Sequence, residues 1–353
     1  MFRRLIALTL LASLSTCPAF AASGFRQAAI AAKGDSPPLS ISLWYPTAST
    51  AKPISLGETP AFVGLPVIRD AQPTSAPHPL IVLSHGYGGS WRNLAWLAGE
   101  LAGKGYVVAA PDHPGTTTFD MQSSDIVALW QRPRDISRVI DALLADPALA
   151  GSISPDRIGA IGHSLGGWTV MELGGGRFDA EAVMKDCPHL FGPVYCRTFT
   201  ALGVGRDAAS MAALGADLGD ARIKAIVTLD LGLGRGLTSE SLAAVKVPVL
   251  VLGAGENVDP ETAEKASIAA TNKDSFYLAD HLPPATTQFA LVPGALHFSF
   301  MQLCKPGAAA LIEEEAPGES IVCRDATGAD RQAIHRDVGD RIIAFLGSAL
   351  TDQ

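Results

Sequence analysis

The chain reads as an α/β protein built on a mainly parallel sheet with helices on both faces. Three observations lead there. Short, wholly apolar runs such as "LIVLS", "YVVAAP" and "VPVLVLG" recur along the chain, as strands buried on two sides require. Amphipathic runs of helical length separate them. Glycine-rich turns stand where strand gives way to helix.

Taken in order, "LSISLWYP" alternates like a strand, and residues 47–79, rich in Pro, Ser and Ala, read as a loop with little structure. "LIVLS" (Leu80 to Ser84) is the next strand, followed by a helix over "NLAWLAGELAGKG". "YVVAAP" (Tyr106 to Pro111) and the helix "DISRVIDALLAD" repeat the unit, and "RIGAIG" with a helix from Leu165 repeats it again. "IKAIVTL", "VPVLVLG" and "TQFALV" are three further strands. The last helix carries Ile334, Val338, Ile342 and Phe345 on one face. Two segments break the alternation: 174–220, which could form part of a cap, and 302–328. The expected organisation is a single domain over 22–353 with these two insertions.

The first 21 residues have another purpose. Arg3 and Arg4 precede an apolar stretch from Leu5 to Leu14, and Ala19-Phe20-Ala21 makes a small-residue cleavage site, the pattern of a secretory leader. A lipid anchor at Cys17 fits less well, because Thr16 is a poor residue at the position before it. No other segment reaches 18 apolar residues, so no transmembrane helix is expected. The net charge of −8 becomes −10 when Arg3 and Arg4 leave with the leader, and an acidic chain without a basic stripe argues against nucleic acid as a partner. Oligomeric state is left open.

Four cysteines remain: Cys187, Cys196, Cys304 and Cys323. An even number in an exported chain suggests two bridges, and of the three pairings the sequence-local one, Cys187–Cys196 and Cys304–Cys323, is expected. Zinc is the alternative, but neither spacing is C-x-x-C and no paired histidines accompany them. No metal or organic cofactor is implied.

Chemistry concentrates in three places. Gly162-His163-Ser164-Leu165-Gly166 sets a serine between glycines at a strand-to-helix turn, where the hydroxyl is exposed at a helix N-terminus. "LSHGYGG" ends a strand in a glycine turn whose amides can face a carbonyl oxygen, making the N–H groups of Tyr87 and Leu165 the expected oxyanion donors. His297, past the last strand, is the expected base. Elsewhere His163 flanks the nucleophile without pointing at it, His85 is structural, and His113 and His281 are loop residues that could line the pocket. The acid stands at a strand end, and spacing alone leaves Asp230 and Glu256 or Asp259 near even.

These pieces resemble α/β-hydrolases, and more narrowly the platelet-activating-factor acetylhydrolase group with its bacterial "predicted dienelactone hydrolase" relatives. The matching segments are "LSHGYGGSWRNLAWLAGELAGKGYVVAAPDHPG", "WQRPRDISRVIDALL", "IGAIGHSLGG", "IVTLDLGLG" and "PGALHFSF". The resemblance implies Asp230 as the acid and a triad of Ser164, His297 and Asp230. The residues point to a serine ester hydrolase working through an acyl-enzyme, with short-chain acyl esters the expected substrates, and the resemblance implies acetylated phospholipid-like esters. Thioesters and amides are alternative substrates, and a non-catalytic binding protein is the rival class. Position 164 is serine where true dienelactone hydrolases have cysteine, so that substrate does not carry over.

Overall fold

The structure, a computed structural model, describes residues 22–34, 36–121, 128–190, 192, 196–197, 199–200, 204, 206–255 and 273–351. The leader, with Cys17, and the two alternative acids, Glu256 and Asp259, lie outside the described residues.

Ten strands form one sheet. Its first two members, β1 (Ser23–Ile30) and β2 (Leu39–Tyr45), pair antiparallel. Residues 47–79 are better ordered than their composition suggests, for β3 (Ile54–Leu56) and β4 (Leu65–Arg69) lie within them. β4 runs parallel to β1, and β3 closes the edge. Both are short and partly exposed, β3 at the edge and β4 next to it, in a segment broken by Gly57, Pro60 and Gly64, so the apolar run that marks a central strand is missing. Six parallel strands make up the rest: β5 (His78–Ser84), β6 (Val107–Asp112), β7 (Ile153–His163), β8 (Ile223–Leu229), β9 (Val249–Ala254) and β10 (Thr287–Val292). β6 joins β2 antiparallel, which gives the order β10-β9-β8-β7-β5-β6-β2-β1-β4-β3.

Alternation along the strands divides the core in two. Leu80 and Val82 of β5 face helices α2 (Gln131–Ala145) and α3 (Leu165–Leu173). Ile81 and Leu83 face α1 (Ala95–Gly103) and the C-terminal helix Arg331–Ala349. That last helix buries the expected face, Ile334, Val338, Ile342 and Phe345, and Asp330 caps it by accepting the Gln332 N–H. All nine residues of α3 are buried, because the sheet and neighbouring elements enclose it.

Each insertion carries a disulfide. Cys187, in α4 (Ala180–Leu190), is bonded to Cys196, and Cys304 to Cys323, with Cα–Cα separations of 5.7 Å in both. The second insertion docks on the β3–β4 region: Lys305 N–H donates to the Ala61 carbonyl at 2.8 Å, Val63 N–H to that of Leu303 at 2.9 Å, and the Lys305 ammonium pairs with Glu58 at 2.7 Å. Among the described residues no helix is long and apolar enough to cross a membrane.

Candidate active site

The carboxyl ends of β5, β7 and β8 and the turn after β10 meet at one rim of the sheet, where parallel α/β architecture collects its reactive groups. β7 ends at His163, and the next residue, Ser164, turns the chain into α3 with φ 55° and ψ −121°. The tightness of that turn dictates the flanking glycines. A Cβ at Gly162 would lie 1.9 Å from the Gly166 carbonyl oxygen, and one at Gly166 would lie 1.9 Å from that of Ser84. Neither position accepts a side chain without moving backbone.

Three side chains are joined by hydrogen bonds at this rim. His297 Nε2 lies 3.0 Å from Ser164 Oγ, and His297 Nδ1 lies 2.6 Å from Asp230 Oδ2. Asp230 is fully buried just past β8, and its Oδ1 accepts the Ala254 N–H at 3.0 Å. Its own N–H donates to the Leu252 carbonyl at 2.7 Å, which binds the turn to β9. The carboxylate thus fixes one imidazole tautomer, Nδ1 protonated, leaving Nε2 free to accept from the serine.

His163 supports His297 from behind. Its Nε2–H donates to the His297 carbonyl at 2.8 Å, and the two ring centroids lie 4.8 Å apart. Burial, with His297 beside it, pulls the His163 imidazole down to about 3, so the ring is a neutral donor at ordinary pH. The sequence puts His163 next to the serine but holds no sign of this contact, made across 134 residues.

The turn after β5 faces Ser164: a Cβ on Gly86 would stand 3.1 Å from the serine Cβ. His85 is buried, its Nε2 accepting the His113 N–H at 3.0 Å and its Nδ1–H donating to the Gly86 carbonyl at 2.7 Å. The Gly89 N–H reaches the same carbonyl at 3.1 Å. Gly86 C=O and Tyr87 N–H belong to one trans peptide unit, so anchoring the oxygen aims the N–H the opposite way. Two donors on the carbonyl also polarise that N–H.

The other histidines are engaged elsewhere. His113 does not line a pocket: it is fully buried, bonded to Ser84 Oγ and Asp135 Oδ2 at 3.0 Å each. The reason is the depth of its strand end, beneath the β5 turn. His281 is bonded to the Tyr277 carbonyl at 2.8 Å, and His335 is stacked on Trp96 with ring centroids 3.8 Å apart. Trp91 packs with Phe25 and Trp44 in the core, whereas Phe119 and Met121 are exposed, Met121 beside Gly88.

Comparison with known proteins places the chain among α/β-hydrolases. The model of the family described as "Serine aminopeptidase, S33" matches residues 75–194, which include both glycine turns and Ser164. Cutinase est2 of Thermobifida alba is 33% identical over 110 residues, 31% of this chain and 34% of the cutinase. Bis(hydroxyethyl) terephthalate hydrolase of Streptomyces coelicolor is 30% identical over 108 residues, covering 31% and 32%. The match therefore spans about a third of the length of these curated relatives. A solved ferulic acid esterase from Streptomyces cinnamoneus shares the fold, with TM-score 0.63 and 20% identity over 93% of this chain and 90% of that one.

Proposed function

We propose that this chain, an α/β-hydrolase by its fold, is an exported serine hydrolase of carboxylic esters. The observation that carries the reading is the unbroken run of hydrogen bonds from Asp230 through His297 to Ser164. As Ser164 Oγ attacks the acyl carbonyl, His297 Nε2 takes its proton, and Asp230 stabilises the imidazolium that forms. The carbonyl π electrons move to oxygen, and that oxyanion is received by the N–H groups of Tyr87 and Leu165. Leu165 is suited to this, since the first residue of a helix has no intrahelical acceptor for its N–H. The tetrahedral centre collapses, His297 protonates the departing alcohol, and water then releases the acyl group by the same steps in reverse.

Short-chain esters are the substrates favoured. A cleft of about 420 Å³, lined by Gly88, Phe119, Met301, Leu311 and Ile312 with Arg92 and Glu315 beside them, adjoins both the turn after β5 and the segment after His297. Named activities of the relatives, on cutin, a terephthalate diester and ferulic esters, all concern carboxylic esters. The matches to known proteins reach the superfamily but not the narrower acetylhydrolase group, so acetylated phospholipid-like esters stand second. Export is supported by the leader pattern and by two disulfides.

A p-nitrophenyl ester series from acetate to palmitate, run beside a phospholipid panel, tests the substrate. Hydrolysis falling off with chain length, together with fluorophosphonate labelling lost in Ser164→Ala, is expected. Ester turnover that survives in Ser164→Ala would refute the mechanism.

A further inference from the structure

The β5 turn and the N-terminus of α3 come from distant parts of the chain, yet an oxyanion hole made from both needs their N–H groups at a fixed separation. One buried side chain reaches both. Arg132, on the first turn of α2, is almost fully buried. On the β5 side its Nη2 donates to the His85 carbonyl and, at 3.2 Å, to Ser84 Oγ. On the α3 side its Nε donates at 3.0 Å to Thr169 Oγ1, whose own hydroxyl donates to the Leu165 carbonyl at 3.1 Å. Its Nη1 holds Thr116, whose carbonyl receives the Gly88 N–H at 2.9 Å.

The anchor point is itself fixed. Ser84 Oγ donates to His113 Nε2, and His113 Nδ1–H donates to Asp135, one helical turn beyond Arg132. Asp135 in turn accepts from Arg138 at 3.2 Å. Ser84, His113 and Asp135 thus repeat the residue types and the hydrogen-bond connectivity of the rim triad, though not its order along the chain. Ser84 is fully buried and its hydroxyl already engaged on both sides, so this second array is not a nucleophile.

We infer that Arg132 is a positioning residue that sets the distance between the two halves of the oxyanion hole, Tyr87 N–H on the β5 turn and Leu165 N–H on α3. This role rests on the ester-hydrolase reading. The planar fork of arginine suits it, because donors in fixed directions reach four acceptors at once, which the single ammonium of lysine does not achieve.

The experiment compares Arg132→Met, Arg132→Lys and Thr169→Val with the wild-type chain on p-nitrophenyl acetate. It also measures binding of an aryl trifluoromethyl ketone, to whose carbonyl carbon Ser164 Oγ adds while His297 takes the proton and the carbonyl oxygen becomes the oxyanion. The matching methyl ketone serves as the non-electrophilic control. In Arg132→Met, kcat falls roughly 10²–10³-fold, the effect of losing one oxyanion donor, while KM holds. Trifluoromethyl ketone affinity falls in step with kcat/KM, and methyl ketone affinity does not change. Arg132→Lys recovers part of the loss, and Thr169→Val loses roughly tenfold in kcat, the worth of about one hydrogen bond.

A folded Arg132→Met variant with wild-type kcat, or equal weakening of both ketones, overturns the inference. Should Arg132→Met fail to fold, unchanged kcat in both Arg132→Lys and Thr169→Val overturns it instead. A wild-type chain that neither hydrolyses esters nor takes fluorophosphonate would remove the hydrolase reading, and this inference with it. An active wild type with indifferent variants removes this inference alone.

Discussion

At the scale of the residue, the proposed roles separate by what each substitution leaves behind. Ser164→Ala removes the nucleophile and nearly all ester turnover. Asp230→Asn leaves the geometry but releases the imidazole tautomer, and a fall in kcat of roughly 10⁴ is expected from steady-state kinetics. Asp259→Asn retains most activity; a loss matching that of Ser164→Ala would transfer the acid's role to position 259. His163→Phe keeps a ring in place but removes the hydrogen bond to the His297 carbonyl, and kcat falls roughly tenfold with little change in KM. The proposed roles of Ser164 and His297 are legible in sequence because such chemistry is tied to local pattern, a serine between two glycines and a histidine beyond a strand. Asp230 needs the family resemblance, since spacing gives no measure of which strand end reaches the imidazole. The contacts of His163, His113 and Arg132 are not legible, because each partner lies far away along the chain and only folding brings the pair together.

Among the elements, the parallel strands are the easiest to read, being apolar on both faces. β1, β3 and β4 are not, because strands at the antiparallel end are half exposed and their sequences carry polar residues and breakers. α2 shows a second limit of pattern reading. Its Ile136, Val139, Ile140 and Leu143 mark the apolar stripe, while the buried Arg132, Asp135 and Arg138 look from sequence like a solvated face. Packing between α1 and the C-terminal helix supplies a pH-dependent element. Glu100 of α1 lies against Gly339, and burial, reinforced by the charge of Asp340, pushes its carboxyl up to about 7. The folded state therefore holds this proton more tightly than the unfolded chain. Stability from this group is full below the ordinary glutamate range and is lost as pH rises through about 7. Glu100→Gln should melt higher than wild type at pH 8 and alike at pH 4, as calorimetry across that range would record.

For the whole molecule, the two disulfides tie down the segments that depart from the repeating architecture. Replacing Cys304 and Cys323 together by serine frees a loop of 19 residues and should lower unfolding stability by roughly 3 kcal/mol in denaturant titration, with the Ser164–His297–Asp230 rim left intact. Only four described non-glycine residues have positive φ: Asp70, Ser164, Asp230 and Leu233. Two of them are the serine and the acid of the rim, so the conformational cost of the fold is concentrated where the chemistry is proposed to occur. On the proposed mechanism the chain has accordingly surrendered some durability for reactivity. Ser164→Gly, which relaxes the left-handed backbone, should melt above both wild type and Ser164→Ala while being inert towards esters, the signature of a catalyst whose most stable form is a dead one.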